Sequence, residues 1–189
     1  GAHPGPRSRV AQRLFKHRVG TAETEQVGQG DMAVDMHDNV VNRNRQYYVT
    51  CELGMNLDEE ENIIPSKVLI VDVKNKREWV LDRFIVAAHA QFDPQDPNVI
   101  YFSNHNFQRE HSSLLNRLKS GSDAVGFRGP ASIFKYRLTH KGPREIGVFT
   151  RDDFFRLTNM HVCEHRGRNM IAAMGVPDEV FLIDADNMS

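Results

Sequence analysis

This chain repeats itself. A segment that alternates apolar and polar residues and then runs into Gly, Asn or Thr occurs at residues 14–21, 68–75, 133–139 and 179–187. Alternation with period two, closed by turn formers, is the pattern of a half-buried strand leading into a turn. A second element lies between these copies. Met36-His37, Ala88-His89 and Met160-His161 are each followed by an apolar strand that opens ten residues after the histidine, at Tyr47, Val99 and Ile171. The connections are rich in turn residues: Asn42-Arg43-Asn44-Arg45, Pro94-Gln95-Asp96-Pro97-Asn98 and Arg166-Gly167-Arg168-Asn169. Each suits a hairpin.

Repeats of about 50 residues built from short strands predict an all-β chain of antiparallel β-propeller blades. The histidines are 52 and then 72 residues apart. The longer interval contains an insertion at about 106–130, rich in Ser, Gly, Asn and charge, whose one apolar-periodic stretch (Leu114, Leu115, Leu118) predicts a short helix. Residues 58–62 are acidic and read as a solvated loop. Residues 1–12 read as a flexible N-terminus and 13–189 as the propeller segment. Propellers close with roughly 4 to 8 blades, whereas about three to four are visible here. The expectation is an incomplete propeller, finished by the rest of a longer chain or by a second chain.

Composition narrows the partners. A formal net charge of -1 over 189 residues argues against a dedicated nucleic-acid binder, which should be strongly basic. There is no apolar run long enough for a membrane helix and no apolar signal-peptide core. Cys51 and Cys163 make neither a disulfide framework nor a CxxC pair. Two reduced thiols and no visible signal favour the cytoplasm.

His37, His89 and His161 precede their strands by the same interval. In equivalent blades they would enter the central channel at one height. Neutral imidazole is the commonest side-chain metal ligand, and three imidazoles with an open position suit a catalytic metal. The expected cofactor is a divalent ion, Mn, Fe or Zn. The alternative is a His-lined, water-filled channel. By alternation Asp35 shares a face with His37, and Glu164 lies close to His161 in sequence.

The stretch Ala88-His89-Ala90-Gln91-Phe92-Asp93-Pro94-Gln95-Asp96-Pro97-Asn98-Val99-Ile100-Tyr101-Phe102 resembles a blade of oligogalacturonate lyases, in which a histidine is followed by a Pro-x-Asp turn and an apolar strand. Residues 160–174 resemble the next blade of that family, and the resemblance covers about residues 84–187. It implies a metal-dependent propeller enzyme that cleaves uronate-containing oligosaccharides by β-elimination. His161 matches a metal ligand of the family. His89 matches its proposed catalytic base, which competes with the reading of His89 as a ligand. The family's His-Glu-Gly-Pro segment stands here as Asn104-His105-Asn106-Phe107, and its Gln-x-x-His-x-His ligand set has no counterpart in this sequence.

In a lyase of this kind, His89 or His105 would remove the proton α to the carboxylate, and Arg128, Arg151 and Arg156 would hold carboxylates by bidentate pairing. The insertion at 106–130 would sit over the channel end as a lid. Other readings of the same features are a metal-dependent propeller isomerase, cyclase or hydrolase, a non-catalytic interaction module, and the propeller of a serine peptidase. The last lacks a Gly-x-Ser-x-Gly elbow here.

Overall fold

The computed structural model describes residues 10–17, 20–32, 36–52, 56–57, 63–64, 66–84, 86–105, 131–151, 156–176 and 179–189. Among them there are strands and turns but no helix. The insertion with its expected short helix, the acidic loop and residues 1–9 lie outside the described residues.

Among the described residues every strand pairing is antiparallel. β1 (Val10–His17) and β2 (Thr24–Met32) form a hairpin. The first large sheet is a meander of β3 (Met36–Val41), β4 (Tyr47–Glu52), β7 (Ser66–Asp72) and β8 (Arg77–Phe84). The small pair β5 (Asn56–Leu57) and β6 (Ile63–Ile64) lies between β4 and β7 in the chain. The second sheet is a meander of β9 (Val86–Phe92), β10 (Val99–His105), β11 (Ala131–Thr139) and β12 (Gly142–Arg151). The third has three described strands, β13 (Arg156–His165), β14 (Arg168–Val176) and β15 (Glu179–Asp184). The described sheets are open, and no strand of the third pairs back onto the first.

Alternation explains how the sheets stack. In β10, Ile100 and Phe102 belong to a core shared with the first sheet, together with Val49, Val68 and Ile70. Val99 and Tyr101, on the other face, belong to a core shared with the third sheet, together with Leu157, Ile171 and Ile183. The second sheet is therefore covered on both faces, which is why its central strand reads as an unbroken apolar run, Val99-Ile100-Tyr101-Phe102. Val68-Leu69-Ile70-Val71 in β7 follows the same logic. Leu69 and Val71 form a further cluster with Tyr48 and Val73 on the face away from the second sheet. Phe102 stacks on Tyr136 at 5.3 Å and on Phe134 at 5.9 Å. Each buried side chain of this size contributes roughly 1.5–3 kcal/mol. β12, by contrast, is an edge strand with half of its residues exposed, so it tolerates Pro143. Gly142 opens β12 at φ +119, where an added Cβ would come within 3.0 Å of Trp79 Nε1 of the first sheet.

Hydrogen bonds between the sheets fix their relative direction. The β3–β4 turn meets the β9–β10 turn: Asn42 Nδ2 donates to Pro97 O (2.8 Å), and Arg43 donates to the carbonyls of Pro94 (3.2 Å) and Gln95 (2.7 Å). The β13–β14 end meets the same place, where Asn169 Nδ2 donates to Asp93 Oδ2 (3.1 Å). Higher up, the Gln91 amide clasps the β13 backbone. Its Nε2 donates to Met160 O (2.7 Å) and its Oε1 accepts from Val162 N (2.8 Å). The first strands of the three sheets thus run the same way, with their turn ends together.

Candidate functional site at the bulged ends of the first strands

At the opposite end, each first strand begins and each second strand finishes. His37 is the second residue of β3 and His89 the fourth of β9. His105 closes β10, Arg151 closes β12 and Arg156 opens β13. The insertion leaves β10 and returns to β11 at this same end. Arg128 belongs to it and lies outside the described residues, as does Asp35. The ladders therefore bring the ends that carry most of the candidates onto one side.

All three first strands break their ladder close to this end. In β9, Ala88 pairs with Ser103 and Gln91 with Tyr101, so His89 and Ala90 both stand against Phe102. In β13, Thr158 pairs with Met174 and His161 with Ala172, so Asn159 and Met160 stand against Ala173. In β3, Asp38 is the extra residue between the His37–Cys51 and Asn39–Thr50 pairs. These are β-bulges, which are frequent beside functional sites. His89 and Asn159 hold φ of 58° and 48°. That left-handed conformation costs an ordinary L-residue roughly 1–2 kcal/mol and is easier for Asn.

The bulges correct the expectation that the three histidines share one height. His37 stands before its bulge, His89 within it and His161 after it. The reason is turn length. β13 and β14 are joined by Arg166 and Gly167 alone, both at positive φ (52° and 76°), the two-residue turn that suits strand twist. The other two hairpins spend more residues in their turns. An equal interval from histidine to next strand therefore marks unequal heights. The positions that are equivalent by register are Asp38, His89 and Asn159. Asp38 and Asn159 were missed because the repeat was aligned on histidine rather than on the pairing of first and second strands.

The surroundings differ as well. His89 is half-buried. Beside it the buried Ser103 Oγ donates to Ala88 O (2.9 Å), and the buried Ser132 Oγ lies 3.2 Å from Thr150 Oγ1. Asn104 is buried next to them on the ladder. This polar lining was not singled out in the sequence. Arg151 is half-buried and holds its guanidinium carbon 4.8 Å from the Phe181 ring centroid. His161 is exposed on the outward face of the third sheet. Cys51 is buried, Cys163 is half-buried, and neither is in a disulfide.

No three of His, Cys, Asp and Glu are gathered as a metal-binding group among the described residues. Backbone placement nevertheless separates the three histidines. His37 and His89 lie on strands in contact, whereas His161 stands on the side of β13 that faces away from the second sheet. Compared with known proteins, the chain matches no family model and no curated protein.

Proposed function

We propose that the three sheets are successive blades of a β-propeller and that the bulged end of their first strands is a carbohydrate-binding mouth. There a uronate or related acid sugar undergoes metal-assisted β-elimination. The observation that carries this reading is the common direction of the touching first strands, as innermost strands of neighbouring blades would have, with His37, His89, His105, Arg151 and Arg156 at strand positions toward the end where those strands begin. His37 and His89 would offer imidazole nitrogens to a divalent ion, Mn, Fe or Zn. Such an ion would supply Lewis-acid chemistry, lowering the charge of the sugar carboxylate and making the α-proton more acidic. His105, at the end of the strand paired with β9, takes that proton. The electron pair becomes the new C=C bond, and the glycosidic oxygen leaves with a proton from solvent. Arg151 holds a second carboxylate of the substrate.

The test is ultraviolet absorbance of the conjugated product when the protein and a divalent metal are mixed with oligogalacturonate. The expected result is turnover that falls roughly 10²–10⁴-fold in His105→Ala. Bound metal is expected to fall in the double variant His37→Ala/His89→Ala and to persist in His161→Ala. No product with any of the three metals, or metal content indifferent to His37 and His89, overturns the proposal.

A further inference from the structure

The outward face of the third sheet is the counterpart of two faces that are covered. Val49, Cys51, Val68 and Ile70 of the first sheet are buried against the second. Tyr101 and Ile133, at matching ladder positions of the second sheet, are fully buried in the core shared with the third, and Ser103, paired with Ile133, is buried as well. In the third sheet these positions are held by Ala172, Met174 and Val180, with Leu182 beside them. Met174, Val180 and Leu182 are 47%, 72% and 71% exposed. Such a run of apolar side chains on one face marks a surface made for contact.

The position of Gln91 decides what kind of contact. Gln91 is the first paired residue after its bulge, and its amide reaches the backbone on both sides of His161 in the next sheet. His161 is the first paired residue after its own bulge. A neutral imidazole, like a side-chain amide, offers one donor and one acceptor on opposite sides of a compact planar group. We infer that His161 is an inter-sheet clamp: it grips the first-strand backbone of a further antiparallel sheet of the same repeat, which covers Met174, Val180 and Leu182. The occupant is a sheet because this interface would continue the two already present, each a meander laid over a meander with first strands parallel. The inference rests on the propeller reading of the sheets, and not on the chemistry assigned to their bulged end.

The experiment is photo-crosslinking in the protein assembled in its own cells, with Leu182→benzoylphenylalanine as the probe and peptide mapping as the readout. The expected crosslinks fall in one stretch that carries a first strand, a turn and a second strand in the repeat pattern described above. Their yield is expected to drop about tenfold in His161→Ala, the cost of roughly one or two hydrogen bonds, and to recover in His161→Gln. Crosslinks to the same β15 of a second copy, to lipid or to nothing overturn the inference, as does a yield indifferent to His161. Phe149→benzoylphenylalanine is the control, since Phe149 and Phe181 face each other across the second and third sheets at 6.5 Å. A control that misses β15 sinks the stacking of the sheets itself, and with it the propeller reading. A control that succeeds beside a failed Leu182 probe sinks only the clamp.

Discussion

The two ends of the same sheets are built differently. At the turn end, polar side chains tie backbone to backbone. Asp93 Oδ1 accepts from Gln95 N and Asp96 N (2.8 and 2.9 Å), while its Oδ2 accepts from Tyr101 Oη (2.8 Å) and Asn169 Nδ2 (3.1 Å). Asn42 does the same for the first sheet, accepting from Gln46 N and Tyr47 N while donating to Pro97 O. At the bulged end, the ladders are interrupted and His89 sits in left-handed backbone. One end spends its polar groups on holding the sheets together. The other gives up ladder regularity and holds His89 in strained backbone, the kind of place from which a hypothesis of function is drawn.

That contrast is broken most sharply at Asp93. Asp93→Ala strips partners from a buried phenol, a buried amide and two turn N–H groups at once. Leaving buried donors unsatisfied costs roughly 1–3 kcal/mol each, so the expected loss is about 3 kcal/mol or more, read from the denaturant midpoint. Asp93→Asn keeps acceptor oxygen at the site and should lose less. A loss under about 1 kcal/mol in Asp93→Ala would mean that the turn end is not the scaffold described here.

The same node makes a pH prediction. Burial, and after it the hydrogen bond to Asp93, pushes the Tyr101 phenol well above its ordinary value of 10.0. The unfolded chain therefore releases this proton near pH 10, while the folded chain keeps it. Above that pH the unfolded state binds fewer protons than the native state, so stability falls as pH rises. One such group contributes a slope of about 1.4 kcal/mol per pH unit, fully absent below the unfolded value. Burial raises Tyr47 and Tyr48 too, so the whole chain should weaken in alkali. In Tyr101→Phe, unfolding followed between pH 9 and 11 should show the slope reduced by that one-proton share. An unchanged slope removes Tyr101 from the account.

How far the sequence reveals this arrangement depends on how local each signal is. The alternating segments at 68–75 and 133–139 coincide with β7 and β11, because strands inside a sheet carry apolar residues whose period survives in the sequence, and the segment at 179–187 opens with β15, which stands at the edge of its described sheet. β2 and β12 were not singled out. An edge strand such as Gly142–Arg151 leaves half of its residues exposed, and little in its composition reports the pairing. The bulges were invisible for a different reason: a bulge is a relation between two strands, and Ala88-His89-Ala90-Gln91 reads as ordinary alternation until Ser103 and Tyr101 are placed opposite it. The Asp93 node was equally hidden. It joins residues 76 positions apart, and only the stacking of the sheets brings them together. The histidines stood out by residue type, yet type alone does not fix height along a strand.

The smallest expected effect on stability is the most informative about the bulged end. His89→Gly removes the Cβ that makes φ 58° unfavourable, a gain of about 1 kcal/mol, and loses whatever the imidazole contacts contribute. These terms oppose one another, so the unfolding midpoint should move by less than the equivalent of about 1 kcal/mol, far below the cost at Asp93. Asn159→Gly, at the matching bulge of the third sheet, serves as the comparison, because Asn already tolerates left-handed backbone and gains less. If His89 is held strained for its chemistry, His89→Gly keeps the fold and loses bound metal, whereas Asn159→Gly keeps both. A large destabilisation in His89→Gly would instead make the imidazole part of the scaffold, and the two ends of the sheets would no longer differ in kind.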